Sequence, residues 1–134
     1  MTDIPDNVKD RIRTYAQGEW PDDFEMQRHI IEKQVAAFQT LETHRAQWAT
    51  DPSISPLFDL AASEWPNDYE MELHTFQKQL EATQRLANYT ADDVPTAIFE
   101  KIKLKAIQEW PNDHEMILHT METQLTAWRE VQKF

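Results

Sequence analysis

Glutamate and histidine stand four residues apart at three places: Glu25 and His29, Glu70 and His74, Glu115 and His119. At that spacing a carboxylate and an imidazole share one helix face, where they can ligate a metal or relay a proton. If three such pairs met around one axis, His29, His74 and His119 would form a three-histidine site of the kind that holds zinc. The ordinary reading is stronger. Each glutamate sits where a helix start needs an acid, and Glu/His neighbours at this spacing are common surface pairs. No His-Glu-x-x-His motif occurs, and no copy of the pair brings a third ligand of its own. Other chemistries lack their residues. The chain has no cysteine, which removes thiolate zinc sites and cysteine nucleophiles, and its single glycine, Gly18, cannot build a phosphate-cradling loop. No enzyme, metal or cofactor is expected.

The pairs belong to a larger pattern. Ala16-Gln-Gly-Glu-Trp-Pro-Asp-Asp-Phe-Glu-Met26 returns at Ala61–Met71 and again at Ala106–Met116. Trp20, Trp65 and Trp110 are separated by 45 residues at both steps, and the prolines Pro21, Pro66 and Pro111 follow them in register. His29/His74/His119, Gln34/Gln79/Gln124 and Ala37/Ala82/Ala127 extend the identity downstream. A fixed period of this length marks tandem copies of one supersecondary unit. The 134 residues divide at about 1–47, 48–92 and 93–134 and form one domain.

Each copy reads as two helices. Proline after tryptophan ends the first, because the residue before proline is driven out of the α region. The second opens with Asp22, Asn67 or Asn112 as cap and Glu25, Glu70 or Glu115 three residues later, the spacing of a capping box. Two stripes, mostly apolar, then follow. One runs Phe24, Arg28, Ile31, Val35 and Phe38, with its equivalents in the later copies; the other runs Met26, Ile30, Ala37 and Leu41. So wide an apolar arc predicts an inner helix of about 22 to 25 residues packed on two sides. The shorter first helices start near Pro5, Pro56 and Pro95, with Asp3, Ser53 or Ser55, and Asp93 as candidate caps. The fold expected is all-α: three tandem 45-residue helical hairpins, six antiparallel helices, in a short solenoid-like stack or a compact bundle.

In outline the unit resembles the tetratricopeptide repeat, where a Pro-Asn-Asp-like cap also opens a helix. Its period is 45 against about 34, and it lacks that repeat's Leu-Gly and Tyr positions. The likeness is one of architecture and not of membership.

The repeated residues are expected to be structural: the tryptophans pin each hairpin, and the glutamines, at the edge of a stripe, bond a neighbouring backbone. Exposed tryptophans anchoring a partner are the weaker reading. The net charge of −11 makes direct nucleic-acid binding improbable. No run is apolar enough to cross a membrane and no signal peptide is visible, which points to the cytoplasm. Residues 48–92 hold eight acids against Lys78 and Arg85. Function is therefore expected in non-enzymatic protein interaction, through Asp68, Glu72 and Glu81, with a partner of basic surface; a homodimer is also compatible. The alternative is an acidic decoy that occupies the basic site of a nucleic-acid-binding protein. Neutralising those three acids is expected to leave the fold intact.

Overall fold

A computed structural model describes residues 3–134 as six helices, with no strand among the described residues. They are α1 (Asp6–Glu19), α2 (Phe24–Gln47), α3 (Ser55–Glu64), α4 (Tyr69–Ala87), α5 (Thr96–Glu109) and α6 (His114–Val131). None is long and apolar enough to cross a membrane. The chain divides within α4 into two compact units, Met1–Phe76 and Gln77–Phe134.

The Trp-Pro joint is built the same way three times. Trp20, Trp65 and Trp110 end α1, α3 and α5 with extended backbone (φ −136°, −131° and −131°), as a residue before proline must. Each tryptophan N–H still reaches back to an alanine carbonyl: Ala16 at 3.0 Å, Ala61 at 3.1 Å and Ala106 at 3.0 Å. All three alanines are completely buried. Each tryptophan carbonyl then accepts from the N–H of Asp23, Asp68 or Asp113, at 3.4, 3.4 and 3.3 Å. Pro and Asx are thus the two central residues of a turn, with proline in its favoured position.

That turn moves the cap one residue on from where the spacing places it. The capping side chains are Asp23, Asp68 and Asp113, whose carboxylates accept from the N–H of Met26, Met71 and Met116 at 3.0, 3.2 and 3.1 Å. Asp22, Asn67 and Asn112 lie inside the turn. Glu25, Glu70 and Glu115 stand two residues after the cap instead of three, so the capping box is not formed; their negative charge still suits the first turn. Candidate caps on the shorter helices also fail. Pro5 and Pro95 are themselves the cap residues of α1 and α5, Ile54 caps α3, and none of the three starts has a side-chain cap bond. Ser53 instead turns back on Asp51, giving its N–H at 2.9 Å and its hydroxyl at 2.6 Å. These bonds hold the exposed Asp51 carboxyl below its ordinary range.

Lengths differ too. Only α2, at 24 residues, reaches the expected span; α4 has 19 and α6 has 18. All three start at the same repeat position, so the difference lies at the other end: α2 runs to Gln47, whereas α4 stops at Ala87 and α6 at Val131.

In the first unit α1 packs on α2; Val8, Ile12 and Ala16 of α1 are buried, as are Ala37 and Leu41 of α2. Phe58 of α3 stacks on Phe76 at 4.0 Å between ring centroids and 13° between planes. In the second unit α5 packs on α6, with Leu86, Tyr89 and Phe99 around Ala106, Ile117 and Met121. The stripes are buried unevenly. Leu118, Met121 and Leu125 are inside, whereas Phe24, Arg28, Ala127 and Val131 are exposed.

Candidate interaction surface

Two of the three repeated glutamines are buried and hydrogen-bonded at both ends of the amide. Gln34 is 1% exposed: its Nε2 donates to Asp68 Oδ1 at 2.8 Å, and its Oε1 accepts from the Tyr69 N–H at 2.7 Å. Gln79, at 2% exposed, repeats the grip 45 residues on. Its Nε2 donates to Asp113 Oδ1 at 2.7 Å, and its Oε1 accepts from the N–H of His114 at 2.7 Å and of Glu115 at 3.3 Å. One amide thereby satisfies the cap carboxylate and an orphan first-turn donor together. The expectation of a glutamine bonding a neighbouring backbone holds at both sites, and the contact to the cap is additional. Gln124 is exposed.

These grips change the standing of the acidic candidates. Asp68 takes Gln34, the Met71 N–H and, at Oδ2, the Tyr15 hydroxyl at 3.0 Å. Burial first, and Asp68 after it, push the Tyr15 phenol up to about 12. Glu72 is buried, with Arg45 Nη2 at 3.6 Å; the Arg45 guanidinium also lies 4.7 Å above the Phe58 ring. Of the three acids, Glu81 alone is exposed. Glu72 is thus an interior residue and Asp68 a half-buried helix cap, so neither is a free surface charge. The signal was present in the alignment of copies: Glu72 shares its column with Gln27 and Ile117, and all three are buried.

Burial raises the Glu72 carboxyl above its ordinary range, outweighing the opposite pull of Arg45 and Arg11. The folded chain therefore holds this proton to higher pH than the unfolded chain. Its contribution favours folding at acid pH and is lost as pH rises from the ordinary glutamate value to the raised one. Wild type should thus gain stability relative to Glu72→Gln as pH falls from about 7 to 4. Urea midpoints of both proteins across that range check this; a constant difference would refute it.

His29, His74 and His119 are all exposed. Among the described residues no group of three or more His, Cys, Asp and Glu is placed to hold a metal ion. Glu25 and Glu115 are exposed and Glu70 is half-buried. In the second unit Glu81 and His119 share an open groove of about 220 Å³ with Lys78, Arg85, Glu115 and Glu122, where Arg85 meets Glu122 at 3.2 Å. Its charges are mixed. His114, at the start of α6, bonds Thr83, and burial holds its imidazole below the ordinary range against the pull of Asp113. Asp93 is paired through both carboxylate oxygens to Arg129, at 2.6 and 3.0 Å, and that contact lowers its carboxyl. Sequence reasoning missed this pair: Asp93 shares its column with Asp3 and reads as a cap candidate, while Arg129 stands where the earlier copies carry Gln39 and Gln84.

The tryptophans are only partly enclosed. Trp20 is 42% exposed and Trp65 37%, although Trp65 Nε1 donates to Thr75 Oγ1 at 3.0 Å. Trp110 is half-buried. Glu19, Pro21 and Asp22 around Trp20, and Glu64, Pro66 and Asn67 around Trp65, are all exposed.

No family model matches the chain, nor does any curated protein or solved structure.

Proposed function

We propose that the chain is a non-enzymatic protein-interaction module, built as three tandem 45-residue helical hairpins, that binds a partner of basic surface without metal or cofactor. The observation that carries this reading is the exposed part of Trp20 and Trp65, each rimmed by exposed Glu, Pro and Asx residues. Rigid aromatic anchors inside a polar rim are the usual make-up of a binding hot spot, and indole faces favour arginine and lysine. The net charge of −11 adds long-range attraction for a basic partner. Each ring serves twice, its inner part closing the hairpin and its outer part presented to the partner.

The acidic decoy is the weaker reading. It draws on carboxylates recurring at fixed spacing, and the recurring Asp23, Asp68 and Asp113 are occupied as helix caps.

The test begins with affinity capture from the native cell and identification of the co-purifying protein. Binding kinetics then decide. The association rate should fall about tenfold as salt is raised from about 50 to 500 mM. Asp22→Asn and Glu81→Gln should each lower it at low salt, since both side chains are exposed and neither caps a helix. Trp20→Ala should mainly raise the dissociation rate. Kinetics indifferent to salt and to all three substitutions would overturn the proposal.

A further inference from the structure

The chain contains two joints of one design and the separate halves of a third. At each joint a glutamine within one Trp-Pro-led helix grips the start of the next: Gln34 holds the Asp68 cap and the Tyr69 N–H, and Gln79 holds the Asp113 cap and the His114 N–H. Four residues along the gripping helix, a second side chain meets the first ring of the gripped one. Phe38 lies edge-on to Tyr69, with centroids 5.3 Å apart, and Thr83 bonds His114.

The remaining members of these columns are unmatched. Gln124 on α6 is exposed and makes no side-chain hydrogen bond among the described residues; four residues on stands Trp128, which is half-buried. On α2 the Asp23 carboxylate takes the Met26 N–H, and no glutamine reaches it among the described residues. Phe24, in the column of Tyr69 and His114, is 77% exposed where Tyr69 is buried. α6 thus carries a grip without a helix start, and α2 carries a helix start without a grip.

We propose that α6 of one copy of this chain grips the start of α2 in a second copy. Gln124 donates to the Asp23 cap and accepts from the Phe24 N–H, while Trp128 covers the Phe24 ring. A second copy is the fitting occupant because the grip recognises a capping Asp and a ring residue presented after Trp-Pro-Asx, which this chain itself supplies. The contact is heterologous, joining two different surfaces, so it propagates head to tail. It does not rest on the basic partner proposed above, and salt separates the two. Two copies at −11 repel, so screening strengthens self-association while it weakens binding to a basic surface.

Two exposed positions give the test. Gln124→Glu removes the donor and sets a second carboxylate against Asp23; Phe24→Glu removes the ring. Sedimentation velocity from micromolar to millimolar protein should show the wild-type mass rising with concentration, more so at high salt. Each variant alone should lose that rise, its apparent dissociation constant weakened about tenfold or more. Mixed in equal amounts, they should form a one-to-one dimer and nothing larger, since each keeps the half that the other lacks. A wild-type chain that stays monomeric throughout overturns the proposal. So does association that neither substitution affects, or a mixture that fails to pair while wild type associates.

Discussion

Phe76→Ala is expected to destabilise the chain by about 4 kcal/mol, read as a fall in urea midpoint with little change in slope. The Phe76 side chain is completely buried, stacked on Phe58 on one side and tilted against His44, at 5.3 Å between centroids, on another. Alanine leaves a cavity bounded by rings that cannot collapse into it, because Phe58 is itself held between Phe76 and the Arg45 guanidinium. Packing that tight makes the cost of truncation exceed the transfer term alone. Domains of this size are stable by only about 5–15 kcal/mol, so the variant should stand near the limit of folding at 37 °C. Phe76→Leu keeps most of the volume and should cost about 1–1.5 kcal/mol. Equal losses in the two variants would mean that the stacked pair is not what the position supplies.

Gln34→Ala is expected to cost about 3–4 kcal/mol. Part is the cavity; the larger part is that the Tyr69 N–H and one contact of the Asp68 carboxylate are left buried without their partner. Substitutions at the same site separate the two. Gln34→Leu nearly preserves volume and should retain the polar share of the loss, about 2 kcal/mol. Gln34→Glu keeps the acceptor for Tyr69 but turns the donor towards Asp68 into a second carboxylate, so its loss should ease at low pH, where one of the two acids is protonated. Gln79→Ala should match Gln34→Ala. The same substitution at Gln124, which is exposed, should change the stability of dilute protein by less than about 0.5 kcal/mol. Of three chemically identical residues at one period, two would then matter to folding and the third would not.

The all-helical fold and its punctuation by Trp-Pro were legible because three copies of one segment state the same instruction. A proline after a bulky residue permits few backbone solutions, and Ala16, Ala61 and Ala106 show what that solution requires beneath it. The cap was misplaced by one residue for a local reason. Asp22-Asp23, Asn67-Asp68 and Asn112-Asp113 each offer two good caps in succession, and only the turn geometry, with proline and the first Asx in its centre, selects the second. The acidic candidates were less readable. Charge is a property of composition, whereas burial belongs to position, and Glu72 looks like any surface acid until Ile117 is seen in its column. The glutamines were legible as amides needing partners, but their partners lie 34 and 35 residues away, beyond any helical periodicity. Asp93 and Arg129, 36 residues apart, left no trace as a pair because Arg129 stands where the other copies carry Gln39 and Gln84, and Asp93 reads as a cap like Asp3.

The central claim is that a buried glutamine fastens each Trp-Pro-led helix to the start of the next. Amide hydrogen exchange on dilute protein tests it most directly. First-turn amides have no acceptor within their own helix and ordinarily exchange at the rate of open chain. The Tyr69 and His114 amides, held by Gln34 and Gln79 at 2.7 Å, should instead be protected, while the Phe24 amide at the same position of the first copy exchanges freely. Gln34→Ala should release Tyr69. If Tyr69, His114 and Phe24 all exchange at the open rate in the wild-type chain, the glutamine grip does not exist in solution and the account fails.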